Sequence, residues 1–260
     1  MELNKEKIYI FGGNGYIGKY LKKNLYNFKK SNIISISRSN INNTIFSNAK
    51  NSILIYLSQP SFINYVYDKK DILFLKNVLR KKWKHIIYFS SCLVNQYENI
   101  DDKLIPDYIK LKILTERILK KKNTTILRLS NVYGKKFKKN TFLHKLKLIK
   151  KKKEIFKLTE ENHLRDFIHL EDINECVKKV IQLKPCGIYN LGSGKSISTN
   201  NLIKLMSNKN QNIKKYLFKL NFKRKFNSKI SLDISKIKNI LNWKPYFFID
   251  IYLKNEKTQN

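Results

Sequence analysis

Tyr108 and Lys112 stand four residues apart in a stretch of helical pattern that runs from Tyr108 to Leu119. Residues with this spacing share one face of a helix, so the phenol and the ammonium are predicted to be neighbours. A phenol exchanges protons slowly at neutral pH unless a nearby cation stabilises the phenolate. The pair suits a tyrosine general acid or base, and the alternative is an ordinary helix-face tyrosine beside a surface lysine.

A second candidate site lies near the start of the chain, where the apolar run Ile8–Phe11 leads into Gly12, Gly13, Gly15 and Gly18. Apolar residues at helical spacing, such as Leu21 and Leu25, follow these glycines and predict a helix. Glycine permits a tight turn and lets backbone N–H groups approach a pyrophosphate, while the helix N-terminus adds positive potential. This pattern favours a dinucleotide-binding turn over its alternatives, a hairpin turn or a flexible glycine-rich loop.

The residue that decides between NAD and NADP is expected about 20 residues beyond such glycines, where an acidic side chain would accept the ribose 2′-OH of NAD. The chain has Ser37, Arg38 and Ser39 there. An arginine accommodates the 2′-phosphate of NADP. Arg38 therefore predicts NADP, with NAD as the alternative.

Strands and helices alternate along the chain and are needed to position these residues. Apolar runs of strand length occur at Ile8–Phe11, Asn32–Ser37, Ser52–Leu57, His85–Ser91, Thr125–Leu129 and Pro185–Leu191. Helical patterns include Asp71–Lys82, Tyr108–Leu119, Leu143–Ile149, Leu170–Leu183 and Ser235–Leu241. This alternation predicts right-handed βαβ units, a parallel sheet and an α/β fold.

Seven segments in chain order resemble the extended short-chain dehydrogenase/reductase family, the NAD(P)-dependent nucleotide-sugar epimerases, dehydratases and reductases. They are Gly12–Gly18, Phe89–Cys92, Tyr108–Lys112, Leu127–Gly134, Arg165–Asp172, Tyr189–Gly194 and Trp243–Pro245. The resemblance implies a Rossmann-type doubly wound parallel sheet with a smaller C-terminal substrate-binding lobe. Residues 1–134 are expected to form the NAD(P)-binding domain, and residues 135–260 mainly the lobe, with 165–191 returning to the sheet.

The resemblance also implies roles for single residues. Tyr108 corresponds to the catalytic acid or base, and Lys112 to the residue that holds the nicotinamide ribose and lowers the tyrosine pKa. Ser91 corresponds to the hydroxyl that binds the reacting sugar oxygen. Asn95 and Gln96 replace the Tyr-Gly usual after the serine strand, so Ser90 stays open as the functional hydroxyl.

Further binding residues follow from the same resemblance. The cofactor turn is implied to contain Gly12, Gly15, Tyr16, Ile17 and Gly18, with Gly12 as the turn residue and Gly13 as its neighbour. Asn131 and Arg165 correspond to substrate nucleotide contacts. An arginine fork suits the diphosphate that Arg165 is expected to reach.

These residues predict an NADP-dependent enzyme that transfers hydride at C4 of a nucleotide-linked keto sugar. Family dehydratases have an acidic pair where this chain has Cys92 and Leu93, so elimination is disfavoured. A C4 epimerase that retains its cofactor is the alternative. A non-catalytic NAD(P)-binding module that contacts RNA is the alternative from another class.

Composition limits the partners. The net charge of +35 is spread over nearly every segment and is interpreted as a solvated surface that attracts an acidic substrate, with no specific nucleic-acid partner expected. Cys92, Cys176 and Cys186 form no C-x-x-C pair and the histidines lack ligand spacing, so neither metal nor disulfide is predicted. We expect a cytoplasmic protein without membrane spans, and the resemblance makes a homodimer a reasonable expectation.

Overall fold

The computed structural model describes residues 6–26, 28, 32–36, 49–57, 66, 68–97, 105–120, 122–139, 141–152, 163–207 and 230–258. The chain forms two compact units, each built from three separate segments. Unit 1 comprises Met1–Leu129, Ile173–Leu191 and Ser235–Trp243. Unit 2 comprises Ser130–Asp172, Gly192–Ile234 and Lys244–Asn260.

The strands and helices of both units are numbered in chain order. The strands are β1 (Lys7–Phe11), β2 (Asn32–Ile36), β3 (Ser52–Tyr56), β4 (His85–Ser91), β5 (Thr124–Leu129), β6 (Asn131–Tyr133), β7 (Leu164–His169), β8 (Gly187–Leu191) and β9 (Ser196–Ser198). The helices are α1 (Tyr16–Leu25), α2 (Lys69–Leu79), α3 (Asp107–Leu119), α4 (Phe142–Lys152), α5 (Leu170–Leu183), α6 (Thr199–Ser207), α7 (Ser235–Leu241) and α8 (Ile249–Thr258).

Unit 1 is organised on a sheet with the strand order β2-β1-β3-β4-β5-β8. Every neighbouring pair in this sheet is parallel. In β1, Ile8 and Ile10 alternate with Tyr9 and Phe11, and all four side chains are buried. Burial of both faces is typical of a parallel sheet covered by helices on each side. The predicted Rossmann-type α/β fold is confirmed.

Helix α3 is fixed to this sheet by apolar side chains. Leu119 of α3 belongs to a buried cluster with Tyr88 of β4 and Ile126 of β5. Near the other end of the helix, Ile109 packs with Val94, which follows β4 in a 3-10 turn, Cys92–Gln96. The two clusters together fix α3 at both ends against β4 and the turn after it.

Two helix boundaries differ from the predicted ones, one because of capping and one because of helix propensity. Helix α2 begins at Lys69 because the Asp68 carboxylate accepts a 2.8 Å hydrogen bond from the Lys70 amide. The prediction from apolar spacing began at Asp71, two residues late. Helix α4 was predicted to end at Ile149 and continues to Lys152, because lysine is a good helix former that an apolar pattern does not register.

Unit 2 contains a small sheet of order β6-β7-β9. β6 pairs with β7 in parallel, whereas β7 pairs with β9 antiparallel. Helices α4, α6 and α8 contribute to its core. The buried members of that core are Tyr133, Phe137, Leu143, Leu146, Phe167, Leu202, Ile249 and Leu253.

None of the helices in the described part of the chain has the length and apolar character that a membrane crossing requires.

Candidate active site

The glycine cluster forms the connection from β1 to α1. Gly12 has a φ of 83°, which lies in the left-handed region that favours glycine. The Gly15 amide donates a 3.0 Å hydrogen bond to the Gly12 carbonyl and closes the turn. A Cβ atom on Gly18 would lie 2.2 Å from that carbonyl oxygen. Gly18 therefore allows the first turn of α1 to pack directly on the glycine turn.

The start of α1 suits an anion. Gly15 precedes the helix without a side-chain hydrogen bond to cap it, and the first turn contains no acidic residue. The first amides of a helix have no acceptor within the helix, so those of Tyr16 and Ile17 can donate to phosphate oxygens. The residues present thus fit the pyrophosphate of a dinucleotide. Arg38, which was predicted to select NADP, lies outside the described residues.

The structure brings Tyr108 and Lys112 together on one face of α3. Lys112 is buried, and its Nζ donates a 2.7 Å hydrogen bond to the Phe89 carbonyl of β4. The same nitrogen lies 5.6 Å from the centre of the Tyr108 ring and 5.2 Å from that of Tyr88. The ammonium therefore sits beside the phenol, at the end of the strand that carries the candidate serines.

The phenol of Tyr108 keeps its proton over the physiological range. Burial raises the pKa of Tyr108 to about 12, and the nearby Cys92 thiol adds to the increase. The resemblance implied that Lys112 lowers this pKa, whereas burial raises it in the structure. A protonated phenol at neutral pH is suited to donating a proton.

Ser90 and Ser91 have different environments. The Ser90 side chain is buried, and its hydroxyl donates a 2.5 Å hydrogen bond to Glu116 Oε1. Ser91 ends β4 and is half-buried; its Oγ accepts a 3.3 Å hydrogen bond from the Leu93 amide. Among the described residues, the Ser91 hydroxyl has no acceptor for its own hydrogen. Ser91 is thus the serine whose hydroxyl can donate to a ligand.

A buried ion pair lies one helical turn beyond Lys112. Arg128 Nη2 of β5 is 2.7 Å from Glu116 Oε2, and both side chains are largely inaccessible to solvent. Arg128 Nη1 also donates to Asn95 Oδ1, and Asn95 Nδ2 donates to Asn190 Oδ1 at 3.0 Å. No role was predicted for Glu116 or Arg128. Charged residues inside an apolar strand or on a buried helix face require partners, which is a signal that the sequence already contained.

Unit 2 places Asn131 and Arg165 near each other. Asn131 Nδ2 donates a 3.0 Å hydrogen bond to the backbone carbonyl of Asp166, the residue after Arg165 in β7. The Asp166 carboxylate is buried and accepts hydrogen bonds from the amides of Ser193 and Gly194, each 2.8 Å long. Burial raises the pKa of Asp166 despite these bonds. The loop after β8 is thereby anchored to the strand that carries Arg165.

The parallel sheet and the glycine turn define a Rossmann-type protein. Residues 75–192 match the model of the NAD dependent epimerase/dehydratase family. The resemblance inferred from the seven motifs is confirmed, as is the prediction that the chain is an enzyme of this kind. No significant match exists among curated proteins.

Solved structures with similar folds include two epimerases. The UDP-glucose 4-epimerase of Thermotoga maritima, solved with UDP-glucose, has a TM-score of 0.75 against this chain, with 20% identity, covering 98% of this chain and 100% of its own. The UDP-N-acetylglucosamine 4-epimerase of Bacillus cereus has a TM-score of 0.71 with 18% identity, covering 98% of this chain and 96% of its own. RMD of Pseudomonas aeruginosa, solved with NADPH, has a TM-score of 0.68 with 15% identity, covering 96% and 95%.

Proposed function

We propose that the chain is an NADP-dependent reductase that transfers hydride to C4 of a nucleotide-linked keto sugar, with Tyr108 as the proton donor. The observation that carries this proposal is the buried Lys112 ammonium, which lies 5.6 Å from the centre of the Tyr108 ring. Reduction of a ketone needs a proton donor, and a cation beside the phenol helps it to donate by stabilising the phenolate that remains. Burial raises the pKa of Tyr108 to about 12, so the phenol holds its proton at neutral pH until a substrate accepts it.

The reduced nicotinamide cofactor supplies the hydride when it is bound. As hydride adds to C4, negative charge develops on the carbonyl oxygen, and the Tyr108 O–H transfers its proton to that oxygen. The product is a secondary alcohol, and the phenolate left behind is stabilised by the ammonium of Lys112 until solvent returns a proton. The Ser91 hydroxyl donates a hydrogen bond to the same sugar oxygen and orients the carbonyl.

Asn131 and Arg165 are proposed to bind the nucleotide part of the substrate. The guanidinium of Arg165 can form paired hydrogen bonds with diphosphate oxygens. The net charge of +35 favours an acidic substrate. A nucleoside diphosphate sugar is also the ligand named for the Thermotoga maritima epimerase, which has a similar fold.

NADP is proposed over NAD because Arg38 stands at the sequence position where the 2′-phosphate is recognised. The similar Pseudomonas aeruginosa structure contains NADPH. Fluorescence titration with NADPH and NADH tests this preference. We expect NADPH to bind more tightly and Arg38→Asp to reverse the order; tighter binding of NADH by the unaltered chain would overturn the assignment.

The reaction is tested by following NADPH absorbance with a panel of 4-keto nucleotide sugars. We expect oxidation of NADPH with at least one of them, and loss of turnover in Tyr108→Phe with cofactor binding retained. Tyr26→Phe is the matched control because Tyr26 is 70% exposed and distant from these groups in sequence. Turnover by Tyr108→Phe at the rate of the unaltered chain would refute the role of the phenol.

C4 epimerisation is the second candidate, because the family description and two 4-epimerases of similar fold favour it. The same residues would then serve both an oxidation and a reduction, with Tyr108 alternating between base and acid. An epimerase interconverts 4-hydroxy nucleotide sugars without net consumption of cofactor. Chromatography of such sugars after incubation with the protein, beside the NADPH assay, separates the two candidates.

A further inference from the structure

Three polar side chains form a row across the strands of unit 1. Ser90 of β4 lies beside Arg128 of β5, and Arg128 lies beside Asn190 of β8 in the strand register. Directly paired residues of neighbouring strands point to the same face of a sheet. The row thus presents a hydroxyl, a guanidinium and an amide on one face, near the ends of the strands.

Two further residues close this row into a network. Glu116 of α3 accepts hydrogen bonds from Ser90 and, at both carboxylate oxygens, from Arg128. Asn95, in the 3-10 turn after β4, accepts from Arg128 and donates to Asn190. Arg128 is therefore the centre, with α3 on one side and the 3-10 turn on the other.

The network connects the two elements that carry the proposed catalytic groups. Glu116 continues the helix face of Tyr108 and Lys112, at intervals of four residues. Asn95 belongs to the Cys92–Gln96 turn, which begins directly after Ser91. Arg128 thus joins the helix of the phenol to the turn that follows the Ser91 hydroxyl. Asn95 is also one of the residues at which this chain departs from the family pattern.

We propose that Asn95, Arg128 and Glu116 are positioning residues that hold Ser91 in register with Tyr108 and Lys112. The inference rests on the proposed function of those three residues. A displacement of about 1 Å at reacting groups can reduce turnover about 100-fold. A bidentate guanidinium is suited to this role because its fork fixes direction as well as distance.

Asn95 is the residue at which to test the network. Removing Glu116 or Arg128 alone leaves a buried charge without its partner, and such a variant can fail to fold. Asn95 is exposed, so Asn95→Leu removes both of its hydrogen bonds without opening a core. Asn95→Asp keeps an oxygen acceptor for Arg128. Gln96→Leu is the matched control, since Gln96 is the exposed neighbour on the same turn.

Hydrogen exchange measured by mass spectrometry reports positioning whether or not a substrate is known. We expect Asn95→Leu to accelerate amide exchange in peptides that cover residues 91–97, and Gln96→Leu to leave it unchanged. The melting temperature of both variants should stay within about 2 °C of the unaltered chain, as for surface substitutions. Exchange in Asn95→Leu equal to that of the unaltered chain would overturn the proposal.

Kinetics add the second readout. We expect Asn95→Leu to lower kcat about tenfold or more with KM within about threefold, and Asn95→Asp to restore kcat to within about threefold. An unchanged kcat, or a change confined to KM, in a variant with faster exchange would overturn the positioning role. If the unaltered chain reduces no keto sugar, the proposed function fails, whereas the exchange data still decide the network.

Discussion

The ammonium of Lys112 donates a 2.7 Å hydrogen bond to the backbone carbonyl of Phe89, two residues before Ser91. This bond ties the middle of α3 to the end of β4. We expect Lys112→Met to lower kcat about 100-fold and to weaken cofactor binding, because it removes the cation beside the Tyr108 phenol. Turnover and cofactor titration measure the effect. Lys120→Met, at an exposed position just past the end of α3, is the control and should retain both turnover and cofactor binding. Unchanged turnover and cofactor binding in Lys112→Met would show that Lys112 has no role.

Ser90 and Ser91 should respond differently to alanine. We expect Ser91→Ala to lower kcat at least tenfold with little change in thermal stability, because its hydroxyl is proposed to orient the substrate. Ser90→Ala should destabilise the fold by about 1–3 kcal/mol, since the buried Glu116 carboxylate loses a hydrogen bond. Thermal unfolding and turnover of both variants separate these effects. A larger loss of kcat in Ser90→Ala at equal stability would reverse the assignment.

Gly18 and Gly13 offer a matched pair of glycines. A Cβ on Gly18 would lie 2.2 Å from the Gly12 carbonyl oxygen, which is backbone, whereas one on Gly13 would meet the Ser35 hydroxyl, which can rotate. We expect Gly18→Ala to lower the free energy of unfolding by about 1–3 kcal/mol and to weaken cofactor binding. Gly13→Ala should lower the free energy of unfolding by a smaller amount. Denaturant unfolding and cofactor titration test the order, and equal stability losses would contradict it.

The buried His85 side chain is expected to lower the stability of the fold in mild acid. Its side chain is buried, and its Nε2 hydrogen-bonds with Thr125 Oγ1, which itself donates to the Pro185 carbonyl, so Nε2 carries the hydrogen of a neutral imidazole. Burial, aided by the charge of Lys184, lowers the pKa of His85 to about 4. The unfolded chain therefore binds a proton at higher pH than the folded chain does, and stability is lost as the pH falls from 6.5 towards 4.

The contribution of His85 amounts to about 2 kcal/mol between about pH 7.5 and about pH 5. His85→Gln, which has no titrating group at this position, should lose correspondingly less over the same interval. Denaturant unfolding of both proteins at each pH measures the difference, which isolates His85 from the other groups that titrate. Identical pH dependence of the two proteins would show that His85 does not titrate as expected.

The sheet of unit 1 could be predicted from sequence because its strands are apolar on both faces. His85–Ser91 was predicted at the bounds that the structure has, and Thr125–Leu129 began one residue late. In unit 2, β6 and β9 have three residues each, too few for any pattern to emerge. Their existence depends on pairing with β7, which is a tertiary contact that no local pattern records.

In the candidate site, too, local contacts could be predicted from the sequence and tertiary contacts could not. Tyr108 and Lys112 could be paired from their spacing because a helix brings residues four apart together. Glu116 and Arg128 meet because the chain turns after α3 and enters β5, which brings the strand alongside the helix. Their hydrogen bond joins residues 12 apart in the chain. A buried carboxylate and a buried guanidinium each need a partner, but the sequence alone does not say which partner is nearest.

The sheet order also bears on how the chain can be divided or synthesised. β8 pairs with β5, and α7 packs on β8, although β8 follows the first segment of unit 2 in the chain and α7 follows the second. A fragment that stops at Gly134 would leave β5 as an uncovered edge, with free N–H and C=O groups that invite aggregation. During translation, unit 1 can be completed only once residue 243 has left the ribosome, so its last edge strand and helix close the fold late.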